Sequence, residues 1–168
     1  ESIDKILDEL KKIESSNKFS QNLINLKIAD INILKGNEEK GSEKLQQIFK
    51  SDNKSILSDL ALYKYSMLKI DQITVSELNS LIEKFHSKEN NFHYLFLELI
   101  GVKNIIDGQY AEGRTIFESL LILFSKFAGV SGSNSNPAGV IVAGTGVNVE
   151  SGFSTVFLTF ILYKPNPP

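Results

Sequence analysis

Apolar residues recur every three or four positions through most of the first 127 residues, which is the pattern of amphipathic helices. The first run has this spacing and consists of Ile3, Ile6, Leu7, Leu10 and Ile13. Further runs of the same kind follow at about 20–35, 38–50, 54–70, 75–86, 91–107 and 110–127. The pattern therefore predicts seven helices and a mainly α fold.

Residues that commonly begin or end helices stand beside several of these runs. Gly36 follows the second run, where a left-handed C-cap position suits glycine. Asp52 or Asn53 is predicted to cap the fourth helix, because a short polar side chain can accept the first free N–H groups. Thr74 and Glu77 have the spacing of a capping box and predict that the fifth helix begins after Thr74.

The turns between helices recur at a period of 36 residues. Gly36-Asn37, Gln72-Ile73 and Gly108-Gln109 each lie between two helical runs at this spacing, which is typical of stacked helix pairs. When the three units are superposed, the same two positions hold Ala29 and Gly41 in the first unit, Tyr65 and Glu77 in the second, and Gly101 and Gly113 in the third. Small residues allow two helices to cross closely. We therefore expect close helix pairs in the first and third units and a wider pair in the second.

These small positions resemble those of the tetratricopeptide repeat family, over about residues 20–125. The family's usual period is about 34 residues rather than 36. Residues 93–101 (HYLFLELIG) and 107–114 (DGQYAEGR) resemble the last repeats of bacterial inner-membrane proteins with an N-terminal anchor and an exported domain, of the ancillary translocon-subunit type. The resemblance implies an α-α superhelix in the exported part of a membrane-anchored, chaperone-like adaptor at the periplasmic face, with a cytoplasmic location as the alternative.

The resemblance also implies where a partner binds, because the first helix of each pair lines the concave side in that family. The positions implied for a peptide-binding groove are Leu23, Leu26, Lys27, Asp30 and Ile33 in the first unit, Asp59, Leu62, Tyr63, Ser66 and Ile70 in the second, and Leu95, Glu98, Leu99, Val102 and Ile105 in the third. The alternative is that several of these leucines belong to the core. The implied partner is a protein or an apolar peptide segment, with a secretion-channel component as one candidate.

Composition and charge narrow the classes of partner. The chain has a net charge of −2 and an isoelectric point near 5.8, whereas binding to nucleic acid usually requires a basic face. We therefore expect no nucleic-acid partner. The chain has no cysteine, so disulfides and thiolate ligands are excluded. No apolar run has the length of a membrane span, and we expect any membrane anchor to lie outside these residues.

Catalytic motifs are sparse. His86 and His93 are the only histidines, and their seven-residue spacing across a predicted helix break does not suit a metal pair, so both are predicted to be surface or boundary residues. Residues 144–146 match the opening of a dinucleotide-binding motif, but Val149 replaces its last glycine. The scattered carboxylates are interpreted as solvated surface, and examples are Asp30, Asp59, Asp71 and Asp107. We therefore predict a non-enzymatic protein without a cofactor or a metal site.

The chain changes character after residue 127, which predicts a helical-repeat domain over 1–127 and a separate segment over 128–168. Residues 129–152 include six glycines, and residues 153–163 are rich in β-branched and aromatic side chains. Three interpretations are open: a β-hairpin of 139–143 with 154–163, an extended strand in the groove, or a foreign segment from an altered reading frame. An alternative function follows, namely a scaffold or homo-oligomerisation module whose C-terminal strand mediates self-association.

Overall fold

The computed structural model describes residues 2–51, 55–86 and 92–127, and these ranges contain seven α-helices and no strand. The helices are α1 (Ile3–Lys12), α2 (Lys18–Leu34), α3 (Glu38–Ser51), α4 (Ile56–Leu68), α5 (Val75–Phe85), α6 (Phe92–Ile106) and α7 (Tyr110–Phe127). Their ends agree with the predicted segments to within two residues, so the mainly α prediction is confirmed. The predicted hairpin or strand of 128–168 lies outside the described residues.

Polar caps explain where several helices begin. The Thr74 side chain accepts the Glu77 N–H, and the Glu77 carboxylate accepts the Thr74 N–H at 2.8 Å, which confirms the predicted capping box of α5. The prediction of Asp52 or Asn53 as the cap of α4 was wrong. Ser55 caps this helix, because its first turn begins at Ile56 and the Ser55 hydroxyl accepts the Ser58 N–H at 3.1 Å.

Two helices, α2 and α6, end in the same hydrogen-bonded turn. Gly36 and Gly108 have φ values of 75° and 79°, a conformation that glycine adopts without steric cost. The N–H of Gly36 donates to Ile33 O at 2.9 Å, and the N–H of Asn37 donates to Asn32 O at 2.9 Å. This is a Schellman motif. The predicted C-cap at Gly36 is therefore confirmed.

The turn after α6 repeats these bonds 72 residues further along the chain. The N–H of Gly108 donates to Ile105 O at 3.0 Å, and the N–H of Gln109 donates to Asn104 O at 2.8 Å. The side-chain amides repeat as well, because Asn32 Nδ2 and Asn104 Nδ2 each donate at 2.8 Å to the carbonyl four residues earlier. The two turns therefore share both backbone and side-chain geometry.

The two helix pairs that these turns join, α2 with α3 and α6 with α7, cross at their small residues. A Cβ atom on Gly41 would lie 3.2 Å from the carbonyl oxygen of Ala29, and one on Gly113 would lie 2.9 Å from that of Gly101. Both distances are shorter than an ordinary van der Waals contact, so a side chain at either glycine would press on the backbone of the neighbouring helix. The middle pair differs, because α4 and α5 are much less closely apposed than α2 and α3. The expectation of close outer pairs and a wider middle pair is confirmed.

The chain up to Leu123 forms one compact unit, and its main core lies between α2, α3, α4 and α6. The core residues are Leu26, Ala29, Leu45, Ile48, Phe49, Leu57, Ala61, Leu62 and Phe96. Phe49 is fully buried, and the rings of Tyr65 and Phe85 contact it edge-on at centroid distances of 5.4 and 5.1 Å. Burial of one such side chain contributes about 1.5–3 kcal/mol to folding.

Candidate functional site

The structure buries six of the residues that the resemblance placed in a peptide-binding groove. They are Leu26, Asp59, Leu62, Ser66, Glu98 and Leu99, none of which is more than 9% exposed. Leu26 and Leu62 belong to the core cluster itself. A partner cannot contact these side chains in this structure. The alternative interpretation, that several groove leucines are core residues, therefore applies to Leu26, Leu62 and Leu99.

The other predicted groove residues keep contact with solvent. Two of them, Leu23 and Lys27, are exposed, and seven more are partly exposed: Asp30, Ile33, Tyr63, Ile70, Leu95, Val102 and Ile105. Ile33 also packs on the close crossing, since its side chain is the nearest one to Gly41. The accessible part of the predicted groove therefore lies mainly on α2 and α6, with Tyr63 on α4.

An open cavity of about 520 Å³ lies between α2 and α4, and it is mostly apolar. Its walls, which we call the α2–α4 surface, are Asp30, Ile33, Leu34, Lys64, Met67 and Leu68. Leu34 is 78% exposed and Met67 is 47% exposed. The structure brings two predicted residues, Asp30 and Ile33, into this surface. Sequence reasoning missed the other four, although Leu34 could have been found from its position four residues after Asp30.

An ion pair joins the two helices at this surface. Lys64 Nζ donates to Asp30 Oδ1 at 2.6 Å, and the two side chains are 35% and 27% exposed. Because solvent screens such a pair, it contributes about 0–1 kcal/mol to stability. Its main consequences are that it ties α2 to α4 at one point and that the charge of Asp30 is compensated within the protein.

The exposed face of α2 extends the apolar surface along the helix. Five residues of α2 lie on one side of the helix, because each is three or four positions after the one before it. They are Phe19, Leu23, Lys27, Asp30 and Leu34. We call this set the α2 stripe. Phe19 is 53% exposed and Leu23 is 42% exposed. The stripe and the α2–α4 surface share Asp30 and Leu34, so they are continuous.

Tyr63 on α4 and Glu98 on α6 come within electrostatic range of each other. Burial raises the pKa of the Tyr63 phenol, and the charge of Glu98 raises it further. Burial also raises the pKa of the Glu98 carboxyl. The ring of Tyr63 meets that of Phe96 edge-on at 6.0 Å. The structure therefore brings two predicted groove residues together, but in a setting that packs α4 against α6.

Replacing Glu98 with glutamine is expected to stabilise the protein at neutral pH. Because the pKa of Glu98 is raised by folding, its favourable contribution is present below the unfolded pKa and is lost as the pH rises through the folded pKa. The wild-type protein therefore loses stability, relative to the glutamine variant, as the pH rises. Urea unfolding at pH 7 and at about pH 4 should show a gain that is larger at pH 7. Glu118→Gln on the exposed side of α7 is the control, and an equal gain at both pH values contradicts the explanation.

A buried carboxylate–imidazole pair corrects two predictions. His86 Nδ1 lies 2.9 Å from Asp59 Oδ1, and the side chains are 2% and 1% exposed. The predictions of Asp59 as solvated surface or groove and of His86 as a surface or boundary residue were wrong. The reason is that His86 is the C-cap of α5, and this turn directs its ring against α4. His93 is exposed as predicted, and its ring stacks on His86 at 6.1 Å.

The described residues offer a second cavity, of about 710 Å³, between α1, α2 and α3. Its lining is mainly polar and includes both signs of charge. The ammonium of Lys35 and the carboxylate of Asp4 form an ion pair that links α1 to the end of α2. Only Leu7 of α1 is buried, so this helix is held by few apolar contacts. Among the described side chains, no group of three or more potential metal ligands is assembled.

Comparisons with protein-family models, with curated proteins and with solved structures found no match to this chain. The resemblance to tetratricopeptide repeats therefore rests on the residues quoted above and on the two matching helix pairs. Within 2–51, 55–86 and 92–127, no helix combines the length and the apolar composition that crossing a bilayer requires.

Proposed function

We propose that this chain is a non-enzymatic protein-interaction module that binds apolar peptide segments on the α2–α4 surface. The observation that carries the proposal is the exposure of Leu34 and Met67 on either side of the cavity between the two helices. Large apolar side chains that face each other across an open groove favour a partner that covers them. The cavity volume of about 520 Å³ also lies within the range of about 300–1,000 Å³ that is common for ligand sites.

The repeated helix pairs support this function. The close crossings at Gly41 and Gly113 and the matching turns at Gly36 and Gly108 are what a tetratricopeptide-like α-α superhelix requires. In such a fold each pair buries its apolar face on its neighbours, and the first helices present a side for partner recognition. The proposed mode is helix-in-groove binding, in which a partner helix places two or three apolar anchors along the surface.

The same proposal includes the cellular location of the module and its partner. The pattern of residues 93–101 and 107–114 supports the exported domain of a membrane-anchored, chaperone-like adaptor, with a secretion-channel component as a candidate partner. The periplasmic location can be tested by treating intact and permeabilised cells with protease and measuring how much of the native protein survives. Protection in intact cells that is lost only when the inner membrane is opened would support the cytoplasmic alternative.

The double variant Leu34→Ser with Met67→Ser is expected to bind labelled apolar peptides at least about tenfold more weakly. Each replacement removes apolar area from the interface, and a loss of about 1.4 kcal/mol of binding free energy corresponds to a tenfold weaker affinity. Fluorescence anisotropy with a set of amphipathic helical and extended peptides measures the change. The domain should keep its helical circular dichroism, because both side chains are exposed.

Ile56→Ser is the matched control for this experiment. Ile56 is 60% exposed and lies at the opposite end of α4 from Met67, so its replacement removes an exposed apolar side chain outside the α2–α4 surface. Peptide affinity should stay at the wild-type value. An equal loss in the control, or no loss in the double variant, contradicts the assignment of the surface.

A further inference from the structure

We propose that the partner is an acidic amphipathic peptide, with a carboxylate that pairs with Lys27 while its apolar side chains cover Leu23, Leu34 and Met67. This inference rests on the proposed function and adds the chemistry of the partner to it. It depends on the distribution of charge along the α2 stripe and around the α2–α4 surface.

Lys27 is the central charge of the α2 stripe. Leu23, Asp30 and Leu34 are its neighbours on that side of the helix, at distances of four, three and seven residues along the chain. The carboxylate of Asp30 is directed to Lys64 at 2.6 Å. Among the described residues, no carboxylate forms an ion pair with Lys27. An exposed ammonium therefore lies between exposed leucines without an internal counter-charge.

The other charges on these two helices leave the surface positive. Lys18, at the start of α2, is exposed and donates to the carbonyl oxygen of Ser51 at 2.7 Å, a bond that does not neutralise it. Asp59 faces inward and contacts His86. The Asp30–Lys64 pair has no net charge. The exposed side of α2 and α4 therefore carries an excess of lysine, although the whole chain has a net charge of −2.

Exposed carboxylates lie on other helices of the unit. Those on α1 and α3 are Asp4, Asp8, Glu9, Glu38, Glu39 and Glu43. The same two helices carry as many lysines, so they have no net charge, and the excess of lysine is on α2 and α4. An acidic peptide is therefore attracted to the α2 stripe, and a basic peptide is repelled by it. Apolar contacts supply most of the affinity in such a complex, and the charge pair selects the partner and its orientation.

The test uses the full chain and two synthetic amphipathic peptides with identical leucine positions, one with glutamate and one with lysine beside those leucines. At low salt the glutamate peptide should bind the wild-type protein more tightly. Lys27→Glu should weaken the glutamate peptide about fivefold and strengthen the lysine peptide, because an exposed ion pair contributes up to about 1 kcal/mol. Lys40→Glu on α3 has the same charge change on another exposed lysine and should leave the preference unchanged.

Each outcome has a distinct meaning. If the two peptides bind the wild-type protein equally, or if Lys27→Glu weakens both alike, the charge inference is wrong and the proposed function stands. If neither peptide binds, the proposed function fails, and this inference fails with it. A preference that Lys40→Glu reverses as strongly as Lys27→Glu would place the effect in the overall charge rather than at Lys27.

Discussion

Replacing Asp59 with alanine is expected to lower the free energy of unfolding by about 1–3 kcal/mol, the usual cost of leaving a buried polar group without its hydrogen-bond partner. The carboxylate lies 2.9 Å from His86 Nδ1, and both side chains are almost completely buried. Without it, the imidazole stays in the interior and loses its partner, while the Nε2 of the same ring is already buried without a hydrogen bond. Water cannot compensate at such a site.

Urea denaturation measures this loss, and Asp30→Ala supplies a matched control. Asp30 also forms an ion pair, with Lys64, but that pair is about one-third exposed and its loss should cost no more than about 1 kcal/mol. The variants Asp59→Ala, His86→Ala and the double variant form a cycle that isolates the pair, and non-additive losses are expected. Equal costs for Asp59→Ala and Asp30→Ala would show that burial does not set the strength of the contact.

Replacing Gly113 with valine is expected to destabilise the protein by about 3 kcal/mol through overpacking. Even a Cβ atom would lie 2.9 Å from the carbonyl oxygen of Gly101 and 2.7 Å from Ile105 Cγ1. The first of these is a backbone atom, so relief requires α6 and α7 to separate. Replacing an ordinary helical glycine with alanine stabilises a protein by about 0.5–1 kcal/mol. A loss of stability in Gly113→Ala would therefore indicate the steric contact at this crossing.

Thermal and urea unfolding of Gly113→Ala and Gly113→Val give the size of this steric cost. Ser119→Ala on the exposed side of α7 is the control, and it should change stability by no more than about 0.5 kcal/mol. A stable Gly113→Val protein would mean that the crossing tolerates a wider separation. In that case, the close third helix pair would not be a requirement of the fold.

The helices and their turns could be predicted because their causes are local. Apolar spacing, the capping box at Thr74 and the glycines at 36 and 108 act within a few residues of the chain. The repeat period also identified Gly41 and Gly113 as crossing points, since a small residue at a helix contact has a direct steric consequence. Asn32 and Asn104 repeat at the same spacing, and this signal was available in the sequence but went unused.

The candidate site could be predicted only in part. Lys27, Asp30 and Ile33 were assigned to a surface on α2, and these side chains retain exposure. Leu26, Leu62 and Leu99 were assigned to the same groove and are buried. A helix with apolar residues on several sides does not show, by its own pattern, which side meets the neighbouring helices. That choice depends on the packing of the other helices.

The sequence by itself determined the mainly α fold, the helix ends and the close approach of two helix pairs. Only the tertiary structure decided which apolar side chains stay exposed and which charges are compensated. Asp59 meets His86 across 27 residues, and Asp30 meets Lys64 across 34. The physical reason is one of range: caps, turns and helical periodicity act over a few residues, whereas burial and ion pairing depend on helices that become neighbours only when the chain folds.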